Sequence, residues 1–122
     1  MKPRDAALRL KRFEMTEKAR KVASMESMVS DLEHMASDLS RQIAAEEERT
    51  GIKDPAHFAY STFAKAARVR RANLLHSVAA LEGKLDAAKR EREEAAAELS
   101  KLEPPVAPDR PLSNVDPIAM IG

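Results

Sequence analysis

The chain has 122 residues, with 21 Lys and Arg against 20 Asp and Glu, a formal net charge of +1, no Cys, no Trp, three Phe and one Tyr. With 34% charged and 3% aromatic residues there is too little bulky apolar volume for a thick globular core. Ala, Glu, Lys, Leu and Arg dominate up to about residue 103, a composition that excludes an α/β enzyme domain and points to long helices. The lack of Cys also excludes disulfides and thiolate metal sites.

Pro3 opens the first predicted element, which runs without a helix breaker over about residues 3 to 50. Within it Val22, Met25, Val29, Leu32, Ala36, Leu39 and Ile43 alternate spacings of three and four, the a/d seam of a coiled coil. Gly51 suits the left-handed position just past a helix end, with Ile52 as its apolar companion. Asp54 suits an N-cap and Pro55 the first helical position, so the turn is expected at 51 to 54. The second helix is then expected over about 55 to 102, with a seam through Tyr60, Ala64, Ala67, Arg71, Leu74, Val78, Leu81, Leu85, Ala88, Arg92, Ala95, Leu99 and Leu102. The fold class is all-α: a long antiparallel two-helix coiled-coil hairpin, each helix roughly 70 Å long. Residues 104 to 122, with five Pro, read as a disordered tail.

A turn at 51 to 54 fixes a register in which Ile43 meets Tyr60, Val29 meets Leu74, Met25 meets Val78 and Val22 meets Leu81, with a slip of one heptad as the alternative. Toward the termini this register sets Lys18 against Leu85, Lys11 against Arg92, Lys21 against Lys84 and Glu14 against Glu91. Such like-charge contacts predict a loosely held open end. Gly83 lies on the outer face of the second helix and marks a bend.

Chemistry is sparse. His34, His57 and His76 are isolated and lack zinc-ligand spacing, and the three Gly form no phosphate loop. No catalytic residue, cofactor or metal site is expected, because a thin rod offers no water-excluding cleft to tune its Ser and carboxylates. The N-terminus has no apolar stretch of signal-peptide length, and no run reaches the roughly 18 apolar residues of a membrane span, so a cytoplasmic protein is expected.

Charge is laid out in blocks: residues 1 to 21 carry eight basic and three acidic side chains, 22 to 50 two and seven, 58 to 92 eight and three. Lys65, Arg68, Arg70 and Arg71 suit phosphate contacts, but the acidic stretch of the first helix should lie alongside and cancel much of their field, so nucleic acid is not the expected partner. Leu10 and Phe13, with Ala6, form a stripe off the seam; Phe63 and Leu75 flank the second seam, and Phe58 sits near the turn. These are either ordinary flank packing with a local seam shift or contacts to another protein. Met25, Met28 and Met35 are expected to fill the seam.

The opening RDAALRLKRFEMTEKARKVA, residues 4 to 23, together with GIKDPAHFAYSTFAKAARVRRANLLHS, residues 51 to 77, resembles the FliJ family of flagellar export proteins, in particular its alphaproteobacterial branch. The resemblance covers about residues 1 to 103. It implies an antiparallel coiled coil similar to the stalk of rotary ATPases, working without catalysis at the cytoplasmic face of the flagellar type III export apparatus, peripheral to the inner membrane at the basal body. The implied partners are the export ATPase ring, the cytoplasmic domain of the export gate, and export chaperones with their substrates. On this reading the open end, with Arg4, Arg9, Leu10, Lys11, Arg12 and Phe13, meets the ATPase ring. The turn end, with Phe58, Tyr60, Phe63, Arg70, Arg71 and Leu75, meets the gate or a chaperone. Family members usually carry the second helix further than Pro104-Pro105 allows here, so weak or absent stimulation of the ATPase is implied. The competing readings are a coiled-coil adaptor or stalk of another secretion system and a nucleic-acid-associated helical hairpin.

Overall fold

The computed structural model describes residues 2 to 103; the predicted tail lies outside them. Two helices pack side by side in antiparallel fashion, α1 over Pro3–Thr50 and α2 over Thr62–Leu102. Pro3 occupies the first turn of α1, where its missing N–H leaves no bond unmade. At the other end Gly51 adopts φ 75°, and its N–H reaches Glu47 O at 2.9 Å, closing the helix as its position predicted.

The seam follows the heptads. Val22, Val29, Ala36 and Ile43 of α1 are buried at intervals of one heptad, while Met25, Leu32 and Leu39 are half-buried between them. On α2, Ala64, Ala67, Val78, Leu85, Ala88 and Ala95 are buried and the intervening seam positions half-buried. Many seam residues are Ala, which lets the two backbones approach closely over a thin core.

The loop corrects the expected turn. Helix α2 begins at Thr62 rather than at Pro55, so seven residues, one full heptad, pass from helix to loop. Asp54 does not cap a helix; its Oδ1 accepts the Ala56 N–H at 2.9 Å, and its carbonyl accepts the His57 N–H at 3.0 Å. Such a local side-chain bond offers the backbone a turn in place of a helix start. Ser61 is the N-cap instead, its Oγ accepting the Ala64 N–H at 3.1 Å.

Lengthening the loop by a heptad slips the register by a heptad, which keeps a and d positions facing one another. Val22 therefore packs with Leu85 and Ala88, with Met25 against them, in place of the expected Val22–Leu81 and Met25–Val78 layers. The flanking charges fall into complementary order. Lys11 Nζ reaches Glu98 Oε1 at 2.8 Å, Lys18 and Lys21 reach Glu91 at 3.4 and 3.6 Å, and Arg12 reaches Glu103 at 3.5 Å. The open end is thus stitched by opposite charges, and the like-charge contacts of the shorter turn do not form. Gly83 continues α2 with a helical backbone. Among the described residues no helix is long and apolar enough to cross a membrane.

Candidate interaction surfaces

The closed end is locked by two acids on successive positions of α1. Glu46 receives Arg49 through Nε at 2.9 Å and Nη2 at 2.8 Å, and Ser61 Oγ donates to its other side at 2.6 Å. These donors, Arg49 first and Ser61 second, stabilise the ionised form and lower its pKa to about 2. Glu47 accepts the Tyr60 hydroxyl at 2.6 Å and Arg68 Nη2 at 3.2 Å, and its carboxyl too is held below the ordinary range, by Tyr60 foremost. Arg68 Nε also donates to the Tyr60 oxygen at 2.9 Å. Ser61 therefore caps α2 and ties it to α1 with one hydroxyl, which fixes where the loop re-enters the seam.

This network removes two residues from the expected turn-end surface. Tyr60 is buried, and Arg71 is half-buried with Nη1 on Ser40 Oγ at 3.1 Å. Arg68 is likewise engaged, so of Lys65, Arg68, Arg70 and Arg71 only Lys65 and Arg70 have no hydrogen-bond or ion-pair partner among the described residues. Their combined field is weaker than the sequence block suggests.

The two flanks of the hairpin differ. One is bridged by polar contacts between helices, Glu47 with Arg68, Ser40 with Arg71 and Glu26 with Lys89. The other carries Met28, Met35 and Gln42 of α1 at heptad intervals and Phe63 and Arg70 of α2. Here a depression of about 200 Å³ is lined by Met35, Asp38, Leu39, Gln42, Arg70 and Leu74. It adjoins another of about 160 Å³ that shares Leu39, Gln42 and Arg70 and adds Phe63. Together they form a shallow groove along the rod, apolar at its floor, with Arg70 over it. Asp38 is already paired with Arg41, which leaves Arg70 the uncompensated charge.

Met28 and Met35 are exposed at 47% and 48%, so they do not fill the seam as expected; Met25 alone of the three does. In the slipped register they flank the seam on the open side, where thioether side chains suit an adaptable surface. Phe63 and Leu75 are also exposed, and Phe58 at the hairpin tip is 96% exposed.

At the open end Leu10 and Phe13 are exposed, on the face of α1 turned away from α2. Lys11 and Arg12 are held by Glu98 and Glu103, and Arg4 Nη2 lies 3.5 Å from the Leu102 carbonyl. Arg9 has no such partner among the described residues. The predicted basic set at this end thus works mainly to close the hairpin, leaving Arg9, Leu10 and Phe13 as the outward surface. The groove residues Met35, Leu39 and Gln42 were missed by sequence reasoning; they become legible only when the one-heptad slip places their flank opposite Phe63 and Arg70. Among the described residues no group of His, Asp and Glu is placed to hold a metal ion.

Comparison with protein-family models, with curated proteins and with solved structures finds no match to this chain.

Proposed function

We propose that the chain is a stalk and general chaperone of the flagellar type III export apparatus, of the FliJ kind. It couples the export ATPase ring to the cytoplasmic domain of the export gate, escorts chaperone–substrate complexes, and performs no catalysis of its own. It would sit peripherally at the inner membrane, held there through the apparatus. The observation that carries this reading is the separation of two outward apolar surfaces by one continuous hairpin: Leu10 and Phe13 near the open end, and Phe58, Phe63 and Met35 near the closed end. Exposed apolar groups of this size on a thin rod gain nothing for its own folding and mark contacts with larger proteins. The two blocks that resemble the family coincide with these two ends, residues 4 to 23 and 51 to 77.

In this mechanism the groove of Leu39, Gln42, Phe63 and Arg70 takes the gate or a chaperone, while Arg9, Leu10 and Phe13 touch the ATPase ring. The paired helices hold the two surfaces at fixed spacing. Mixing the purified chain with the export ATPase and the gate's cytoplasmic domain of the same organism tests it, with hydrolysis, ring formation and co-elution as readouts. Phe63→Ser with Arg70→Glu should weaken the gate or a chaperone and spare the ATPase and the helicity. Absence of co-elution with any export component would sink the reading.

A further inference from the structure

Resting on the stalk reading, we infer that the hairpin tip is a preformed docking knob: Phe58 enters an apolar pocket on an export-apparatus protein whose rim presents a hydrogen-bond acceptor to His57 Nε2. The 51–61 loop is tied at every stage. Thr50 Oγ1 accepts the Ile52 N–H at 3.2 Å, Asp54 holds Ala56 and His57, the Ala59 N–H donates to His57 Nδ1 at 2.9 Å, and the Tyr60 N–H donates to the His57 carbonyl at 3.0 Å. The Glu46–Ser61 and Glu47–Tyr60 bonds then fasten its C-terminal end to α1. A backbone N–H can only donate, so Nδ1 is the acceptor, and the neutral ring carries its proton on Nε2.

The ring that this loop presents is nearly naked. Phe58 is 96% exposed and stacks on His57 with centroids 4.7 Å apart and planes at 22°. Neither the seam nor the groove gains from it. A hairpin turn needs only a few residues, yet here a heptad of potential helix is given over to a fixed platform for one aromatic ring. Ordering the platform in advance lowers the entropy lost on association, and rigid aromatic side chains are the usual anchors of protein interfaces.

The tip charge favours a protein over a lipid surface. Glu48 is exposed with Lys53 Nζ 3.8 Å away, and Asp54 adds a further carboxylate, so the tip has no basic surplus for anionic headgroups. A single ring without such a surplus does not hold a membrane.

The chain contains no Trp, so Phe58→Trp in the full chain places one indole at the tip. This variant is titrated separately with the purified export ATPase, the gate's cytoplasmic domain and an export chaperone. The expected result is a shift of indole emission to shorter wavelength with one of them. Phe58→Ala should lose about thirtyfold in affinity for that protein, with circular dichroism and melting temperature unchanged. Binding at wild-type affinity by Phe58→Ala, with indole emission left at its solvent position, overturns the knob and leaves the stalk reading standing. Failure of the unaltered chain to bind any of the three removes the stalk reading, and the knob's assigned partner with it.

Discussion

Lys21 Nζ stands 3.6 Å from Glu91 Oε1, not beside Lys84 as a four-residue turn would place it. Glu91 also receives Lys18 at 3.4 Å, and its carboxyl is held below the ordinary range by Lys18 first and Lys21 after it. The apolar seam alone does not distinguish registers one heptad apart, since a meets d in both. Flanking charges do distinguish them: the shorter loop opposes Lys21 to Lys84 and Glu14 to Glu91, whereas the longer one gives four cross-helix ion pairs at the open end. Register is chosen by the rim of the interface.

This choice can be read by cross-linking. The chain has no Cys of its own, so Val22→Cys with Ala88→Cys should oxidise readily to a disulfide, whereas Val22→Cys with Leu81→Cys should not. Reversing Glu91 to Lys should destabilise the hairpin by about 1 kcal/mol or less, because the pairs are partly exposed, and Lys18→Glu with Lys21→Glu should restore the loss. Efficient cross-linking of the 22/81 pair would place the register elsewhere.

The two glycines in the described helical hairpin should respond in opposite directions. An added Cβ meets nothing within 4 Å at either one, so sterics with neighbours do not decide the outcome. Gly83 has helical backbone, and Gly83→Ala should stabilise by about 0.5–1 kcal/mol through the unfolded chain. Gly51 sits at φ 75°, where an L side chain is strained, so Gly51→Ala should destabilise by about 1 kcal/mol. Thermal melts of both variants check the pair.

Most of the helical architecture was legible in the sequence because heptad spacing is a direct record of burial: every seam position named from Val22 to Ile43 and from Ala64 to Leu102 is buried or half-buried. Gly51 was legible for the same kind of reason, a backbone conformation that one residue type favours. The start of α2 was not. Asp-Pro is as good a turn as it is a helix start, and the choice was made by Ser61, which caps Ala64 and reaches Glu46 across the hairpin, a contact distant in sequence. The error of one heptad then propagated to every cross-helix pair. For the candidate surfaces, residue type flagged Leu10, Phe13, Phe58 and Phe63, all exposed. It could not flag Tyr60 and Arg71 as internally bonded, or Met35 and Gln42 as groove residues, because those facts depend on which side of the partner helix they face.

The thin seam should be sensitive to volume in both directions. Val22 is 1% exposed, and Val22→Ala should cost about 2 kcal/mol, with some relief as the neighbouring Met25 shifts into the gap. Ala64 is completely buried where α2 approaches α1 after the cap. Ala64→Leu should cost about 1–3 kcal/mol by forcing the helices apart next to the Glu46–Ser61 bond. Denaturant midpoints measure both, and a neutral Ala64→Leu would mean that the closed end is less tightly packed than its burial shows.

Acid should loosen the closed end before it affects the seam. Glu46 is lowered from its ordinary value of 4.5 to about 2 because Arg49 and then Ser61 bond its ionised form. A folded-state pKa below the unfolded one means the unfolded chain binds the proton more readily, so Glu46 contributes its full stability above about pH 4.5 and loses it as pH falls toward 2. Glu47 shifts in the same direction through Tyr60 and then Arg68, and adds to the loss. Glu46→Gln cannot ionise, so its melting temperature should vary less than that of the unaltered chain over this range and approach it at the acid end. Because Glu46 bonds Ser61, the amides of residues 61 to 64 should also exchange faster with solvent in acid than those around Val29. Melting curves that stay parallel for the two proteins from pH 6 to pH 2 would show that the Arg49 and Ser61 bonds do not hold the loop.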